Sequence, residues 1–401
     1  MRSIGVVTAG RSDYGILLPI LQRIRTDSEF KLHLIAGGMH LSPEFGLTAR
    51  EIEEDGFTIS ERVEMLLSSD TPEGVSKSMG LGLIGFAQAY GRFQPDLLLA
   101  VGDRFEMAAA VMAALPFKIP VAHVHGGEIS QGAMDDALRH AMTKLSHLHF
   151  VSTPEYGRRV MQMGEEPWRV IVSGAPSLDN LRSIRLLSKD QLQERFGLPL
   201  KQLPLLVTFH PVTMEYERTE WQIGELLQAL GSVDLPILFT RSNADTHGRI
   251  INQRIEAFTQ SHPNTHLIDS LGTTGYFSLM TIAAAMVGNS SSGLVEAPSF
   301  GLPVVNIGTR QQGRLRAKNV IDVGYTRQEI IGGIKKAIAP EFRTGLKGLA
   351  NPYGDGTAAE RIVKRLKEIP LDNRLIMKRF ADQTDRIKEE ILEKGVLDAS
   401  R

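Results

Sequence analysis

Residues 288–310 read GNSSSGLVEAPSFGLPVVNIGTR, and the rest of the chain is best read outward from them. An apolar run at 283–287 ends in Gly288, then come Ser290, Ser291 and Ser292, then Gly293, and Leu294 and Val295 resume an apolar helical pattern. The order is strand, tight Gly/Ser turn, helix start. Such a turn presents unpaired backbone N–H groups and the hydroxyls add donors, so a phosphate can be held there without a lysine. Glu296 falls in the first turns of the helix, where a carboxylate can accept hydrogen bonds from a ribose diol. A second apolar run, 303–307, leads to Arg310, whose planar fork suits a second phosphate. Three serines between two glycines are more than one helix cap requires.

The same strand–helix alternation runs in both directions. Candidate strands are 4–8, 32–36, 97–101, 121–124, 148–152 and 170–172 in the first half, and 205–209, 237–240, 266–268, 285–288 and 304–307 in the second. Amphipathic stretches at 16–25, 75–93, 107–115, 133–145 and 155–163 lie between the first set. This pattern predicts an α/β protein with parallel sheets covered on both faces. At 401 residues the chain exceeds a usual single core, so two domains are expected. Pro176 and a helix-start signal at Ser188 place the linker at 174–188. The expected division is a first domain at 1–173 and a second at 174–374. A charged amphipathic helix at 371–394 is expected to return to the first domain, which gives residues 375–401 to that domain.

Composition excludes several functions. Lys+Arg number 45 against 46 Asp+Glu, so no global charge favours nucleic acid or a charged membrane surface, and any anion site must be local. There is no cysteine, which rules out disulfides, thiolate metal sites and a cysteine nucleophile, and fits a reducing compartment. The first strand starts at Ser3, leaving no room for a leader, and no apolar run approaches the ~20 residues of a membrane span. The expectation is a cytoplasmic globular protein.

Parallel sheets bind ligands at their carboxyl ends, so the residues just after each strand carry the chemistry. The first strand is followed by Arg11, Ser12 and Asp13, which is not a dinucleotide fingerprint but suits an anionic ligand. The run 97–101 delivers Asp103, Arg104 and Glu106. The run 121–124 delivers His123, His125 and Glu128 around Gly126 and Gly127, glycines that would let a ligand approach the backbone. His123 and His125 at i, i+2 could share a metal, but no third ligand stands at a suitable spacing, and no metal is expected. The next helix pairs Asp135 with Arg139 and Asp136 with His140 at i, i+4. In the second half, His210 ends one strand, and Asn243 sits in the polar loop after another. The second domain thus reads as the holder of an activated leaving group, and the first as the source of titratable groups.

At these residues the chain resembles the hydrolysing UDP-N-acetylglucosamine 2-epimerases. The resemblance rests on Arg-Ser-Asp-Tyr-Gly at 11–15, Gly-Asp-Arg-Phe-Glu at 102–106, His-Gly-Gly-Glu at 125–128, Asp-Asp-Ala-Leu-Arg-His at 135–140, Gly-Asn-Ser-Ser-Ser-Gly at 288–293 and Gly-Thr-Arg at 308–310. It implies two Rossmann-like domains of the GT-B type facing a central cleft, with the C-terminal helix packed on the first. The implied partner is a UDP-sugar, no cofactor is needed, and homodimers or homotetramers are usual. In the implied reaction UDP leaves carbon 1 as carbon 2 loses its proton, giving 2-acetamidoglucal by anti elimination. Water then adds, releasing N-acetylmannosamine for sialic acid synthesis. No carbonyl acidifies the carbon 2 proton, so early departure of UDP must build positive charge that carboxylates stabilise. The resemblance makes Asp103, Glu128 and Asp135 the acid/base and charge-stabilising candidates, followed by Asp136 and His125. It assigns UDP contacts to Arg11, His210, Ser290, Ser291 and Arg310, and the ribose contact to Glu296. Arg104, Arg139, Asn243, Ser292 and Gly293 complete the expected substrate set.

One position departs from much of the family. Several relatives carry Glu where this chain has His125, whereas bacterial members acting on UDP-N,N'-diacetylbacillosamine carry histidine. A histidine relays protons near neutral pH, and a glutamate does so only with a raised pKa. The sequence leans to N-acetylglucosamine as the sugar, with the diacetylated sugar as the alternative. The same fold also serves glycosyltransferases that use UDP-sugars, and fold alone does not separate them.

Overall fold

A computed structural model describes residues 1–198, 200–242, 245, 247–269 and 271–382. Thirteen strands are β1 (Arg2–Thr8), β2 (Phe30–Gly37), β3 (Ile59–Val63), β4 (Leu97–Val101), β5 (Val121–Val124), β6 (Leu148–Val151), β7 (Val170–Val172), β8 (Leu205–Thr208), β9 (Ile237–Thr240), β10 (Thr265–Ile268), β11 (Ala285–Gly288), β12 (Val304–Ile307) and β13 (Val320–Val323). They form two parallel sheets, β3-β2-β1-β4-β5-β6-β7 and β10-β9-β8-β11-β12-β13. Both orders reverse beside the first strand of the sheet, where a parallel sheet opens a crevice at its carboxyl ends. The central strands are apolar throughout, as burial on two faces demands, and β4, β5, β8 and β11 are wholly buried.

The apolar pattern locates the central strands and overlooks two edges. In β3 the sequence ISERV is alternately exposed, and Glu61 and Arg62 pair outward with Arg92 and Glu53. In β13, VIDV is broken by Asp322, which accepts a hydrogen bond from Asn306 at 2.7 Å. Edge strands need only one paired side, so their apolar signal is weak.

The segment between the domains is structured. Short helical turns Pro176–Asp179 and Asn180–Ser183 occupy it, and Ser177, Leu178 and Asp179 are buried. Asp179 accepts the N–H groups of Ala358 and Ala359 at 2.9 and 2.8 Å, so the outgoing crossing caps the helix that follows the returning one. Ala175 N–H donates to Tyr353 O at 2.8 Å, and a Cβ on Gly354 would lie 3.1 Å from Gly174 Cα. Helix Ala358–Glu368 already buries Ala359, Ile362 and Leu366 in the first core, ahead of residue 375.

The expected continuous helix at 371–394 does not form in its described part. One turn, Asn373–Ile376, is capped by Asp372, and the chain then extends to 382; the remainder of the predicted 375–401 helix lies outside the described residues. Lys378 ties this segment down by donating to Ser146 O and Lys144 O at 2.6 and 2.8 Å and pairing with buried Glu165 at 2.8 Å. Among the described residues no helix is long and apolar enough to cross a membrane.

Candidate active site

The carboxyl ends of the two sheets enclose a cleft of about 850 Å³. On the second-domain side the site begins at Gly288, whose φ is 135°. A Cβ there would collide with Thr208 O, so only glycine lets β11 turn against β8. Asn289 then locks the two strand ends together: it accepts His210 N–H at 2.7 Å and donates to His210 O at 2.8 Å. Its own carbonyl receives Arg310 and Gln311 at 3.2 and 2.8 Å.

Ser290, Ser291, Ser292, Glu296 and Arg310 all line the cleft. The helix after the serines, Ser292–Val295, has only four residues, so the loop presents hydroxyls and Arg310 rather than the dipole of a long helix. Gly293 does not join them. It is buried with a Cβ position 2.8 Å from Val304, so its role is to let the short helix pack on β12. Tyr276 was not singled out from sequence because it sits inside a helix rather than at a strand end. Its hydroxyl reaches Ser292, Thr208 and Ser290, and burial pushes it up to about 12. Glu296 accepts the Ser177 hydroxyl, and burial raises its pKa against that bond. His210 is held neutral: burial, then nearby Arg310, push it down to about 3. Asn243 lies outside the described residues.

On the first-domain side His125 and Glu128 form a dyad. His125 adopts φ 69°, a left-handed conformation that is rare outside glycine and costs about 1 kcal/mol or more. Its Nδ1 donates to Glu128 Oε1 at 2.6 Å, while its Nε2 is buried without a hydrogen-bond partner. Burial opposes charge on Glu128, but Arg314 at 3.2 Å, His125 and the Ser152 hydroxyl outweigh it and hold the carboxyl at about 2. The bond to Glu128 engages Nδ1 and leaves Nε2 of His125, a residue that lines the cleft, without a partner. Arg314 comes from the second domain and was missed, because it lies four residues past Arg310 in a loop without a strand-end signal.

The left-handed turn also gives His123 and His125 different partners. His123 stays in β5 and hydrogen-bonds Gly102 O at 2.7 Å, while His125 turns to Glu128. Gly126 and Gly127 do not leave room for a ligand: a Cβ on Gly127 would collide with Tyr156 O. Of the two helical i, i+4 pairs, Asp136–His140 forms and Asp135–Arg139 does not. Arg139 turns from Asp135 to pair with Asp103, and donates to Ser130 at 3.1 Å. Asp103, Asp135 and Arg139 line the cleft; Asp136 does not. Asp136 accepts Ser130 N–H at 2.5 Å and faces His140 at 3.6 Å, which holds the loop before the helix. Asp135 is pushed up to about 6 by burial and by the anion of Asp245.

Arg11 and Arg104 bridge the domains at the cleft floor. Arg11 donates to Asp269 O, and Arg104 pairs with Glu106 at 3.1 Å and with Asp245 at 2.9 Å. Asp13 lines the cleft beside them and is raised to about 7, chiefly by burial. Asp13 and Asp245 stand within the motifs read from sequence, yet nothing there distinguishes them from helix caps.

A hydroxyl loop from one sheet and a His–Glu dyad with carboxylates from the other line the cleft of a GT-B fold. The UDP-N-acetylglucosamine 2-epimerase family matches residues 22–367, and the chain belongs to it. It is 39% identical over 386 residues to a GDP/UDP-N,N'-diacetylbacillosamine 2-epimerase (hydrolyzing) of Campylobacter jejuni, covering 95% of this chain and 99% of the relative. It is 37% identical over 380 residues to a UDP-N,N'-diacetylbacillosamine 2-epimerase (hydrolyzing) of Legionella pneumophila, covering 94% and 99%. Among solved structures, UDP-GlcNAc 2-epimerase from Neisseria meningitidis bound to UDP-GlcNAc shares the fold at a TM-score of 0.78 and 21% identity, over 92% of this chain and 100% of that one. The protein is an enzyme of the hydrolysing 2-epimerase type.

Proposed function

We propose that the substrate is UDP-N,N'-diacetylbacillosamine, in place of the UDP-N-acetylglucosamine to which the sequence leans. Two relatives at 39% and 37% identity carry that activity in their descriptions. The observation that carries the chemistry is the His125–Glu128 dyad, with Nε2 of His125 open for a proton.

In this reading Ser290, Ser291, Arg310 and Arg11 hold the pyrophosphate and Glu296 the ribose. His125 takes the carbon 2 proton as the carbon 1–oxygen bond breaks, UDP leaves with the electron pair, and a carbon 1–carbon 2 double bond forms. The Asp103 carboxylate stabilises positive charge developing at carbon 1. Water then adds at carbon 1 and gives its proton to solvent, while Asp135, protonated below about 6, returns a proton to carbon 2 on the other face; His125 releases the proton it took and Asp135 regains one, which closes the cycle. The products are UDP and the free 2-epimerised sugar.

Steady-state UDP release on each nucleotide-sugar tests the substrate assignment. The expected kcat/KM is at least about tenfold higher for the diacetylated sugar, the scale of one well-placed polar contact. A higher value for UDP-N-acetylglucosamine would restore the simpler substrate.

A further inference from the structure

The second domain sends a carboxylate into the first. Asp245 follows β9, and its Oδ1 accepts from Arg104 Nη1 at 2.9 Å, with 6% and 8% of the two side chains exposed. The other arm of Arg104 donates to Glu106 at 3.1 Å, while its buried Nε has no hydrogen-bond partner. Asp13 and Asp135 face the same guanidinium. One cation therefore stands among four carboxylates, three from the first domain and one from the second.

Just after Asp245, His247 and Arg249 make contacts across the domains. His247 N–H donates to Asp70 O at 3.2 Å, and Arg249 forks onto Glu44 at 2.7 and 2.7 Å while donating to Ser68 O at 2.9 Å. None of these groups lines the substrate cleft. Opening the domains would break them and withdraw Asp245 from Arg104.

We propose that Asp245 is a positioning residue, delivered by the second domain to orient Arg104 beside Asp135, so that the acid/base groups are complete only when the domains close. Around Asp135 stand Arg104, Arg310 and Arg314 as cations and Asp245 as the facing anion, with Asp136 and Arg139 on its own helix. Asp245 itself stays ionised, because Arg104 and Arg310 outweigh its burial. Its negative charge favours the protonated form of Asp135. Withdrawal of Asp245 lets Asp135 ionise, which ties the proton donor to closure and rests on the role given to Asp135 above.

The test uses the full chain with Asp245→Asn, reading the pH profile of UDP release and the affinity for UDP. Turnover should fall about 10- to 100-fold, with UDP affinity changed less than about threefold. The falling alkaline limb should move to lower pH, because the anion opposing Asp135 ionisation is gone. Arg249→Met, which loosens the docked loop outside the cleft, should move the same limb part of the way. An unmoved limb in both variants, or loss of UDP affinity in step with turnover, overturns the proposal. Wild-type protein that released UDP without an epimerised sugar would instead sink the function reading, and the limb shift could still be read on UDP release.

Discussion

At the residue scale the account turns on His125. A histidine held in a left-handed conformation, bonded on one nitrogen and open on the other, is costly unless the open nitrogen is used. His125→Ala should lower kcat about 10²- to 10⁴-fold while UDP affinity stays within a fewfold, as for loss of a group that acts only on protons. Equal loss of UDP binding, measured by calorimetry, would assign His125 to the nucleotide instead. Asp135 adds a pH signature. Raised to about 6, it donates only while protonated, so turnover should fall as pH rises through that value. The strand-end rule brought His125, Glu128 and Asp103 forward from sequence because each lies in the turn after a buried strand, and Asp135 because it opens the helix that comes next. It could not separate Asp135 from Asp136, since only the helix phase decides which carboxylate faces the cleft. Nor could it reach Tyr276 or Arg314, which enter from a helix and a loop.

At the element scale, the hydroxyl loop works because two strand ends are pinned together. Gly288 permits the contact with Thr208, and Asn289 bonds His210 twice. Gly288→Ala forces the strands apart and should cost about 1–3 kcal/mol of stability, as overpacking and backbone strain do. It should also weaken UDP binding more than any single serine substitution, which calorimetry on folded protein would show. This loop was legible because Gly and Ser punctuate it between apolar runs. The edge strands β3 and β13 were not, because charged residues occupy their exposed faces. Of the tail helix only the start lies among the described residues, and there the chain makes one turn and from Met377 extends to anchor Lys378.

At the scale of the whole molecule, the chain crosses between domains twice, and Asp179 joins the two crossings. Composition and alternation made the two domains legible. The early return of helix Ala358–Glu368 was not, because an amphipathic helix fits either core equally well. Buried histidines spread over both domains set the stability of the whole against acid. His40 and His210 are pushed down to about 3, and His123 and His147 to about 4, all mainly by burial. Above their ordinary value of 6.5, folded and unfolded chains are alike neutral at these positions. Below it, the unfolded chain takes up protons that the folded one refuses. Stability should therefore drop as pH falls from 6.5 towards 4, by on the order of 1 kcal/mol per histidine near pH 5.5. Thermal unfolding between pH 7 and 5 measures this, and a flat melting temperature would contradict it.

The central claim, elimination of UDP and rehydration across carbons 1 and 2, is tested most directly by proton NMR in deuterated water with UDP-N,N'-diacetylbacillosamine. The expected products are free UDP and a 2-epimerised sugar carrying deuterium at carbon 2. UDP release with the original proton still on carbon 2 would contradict it.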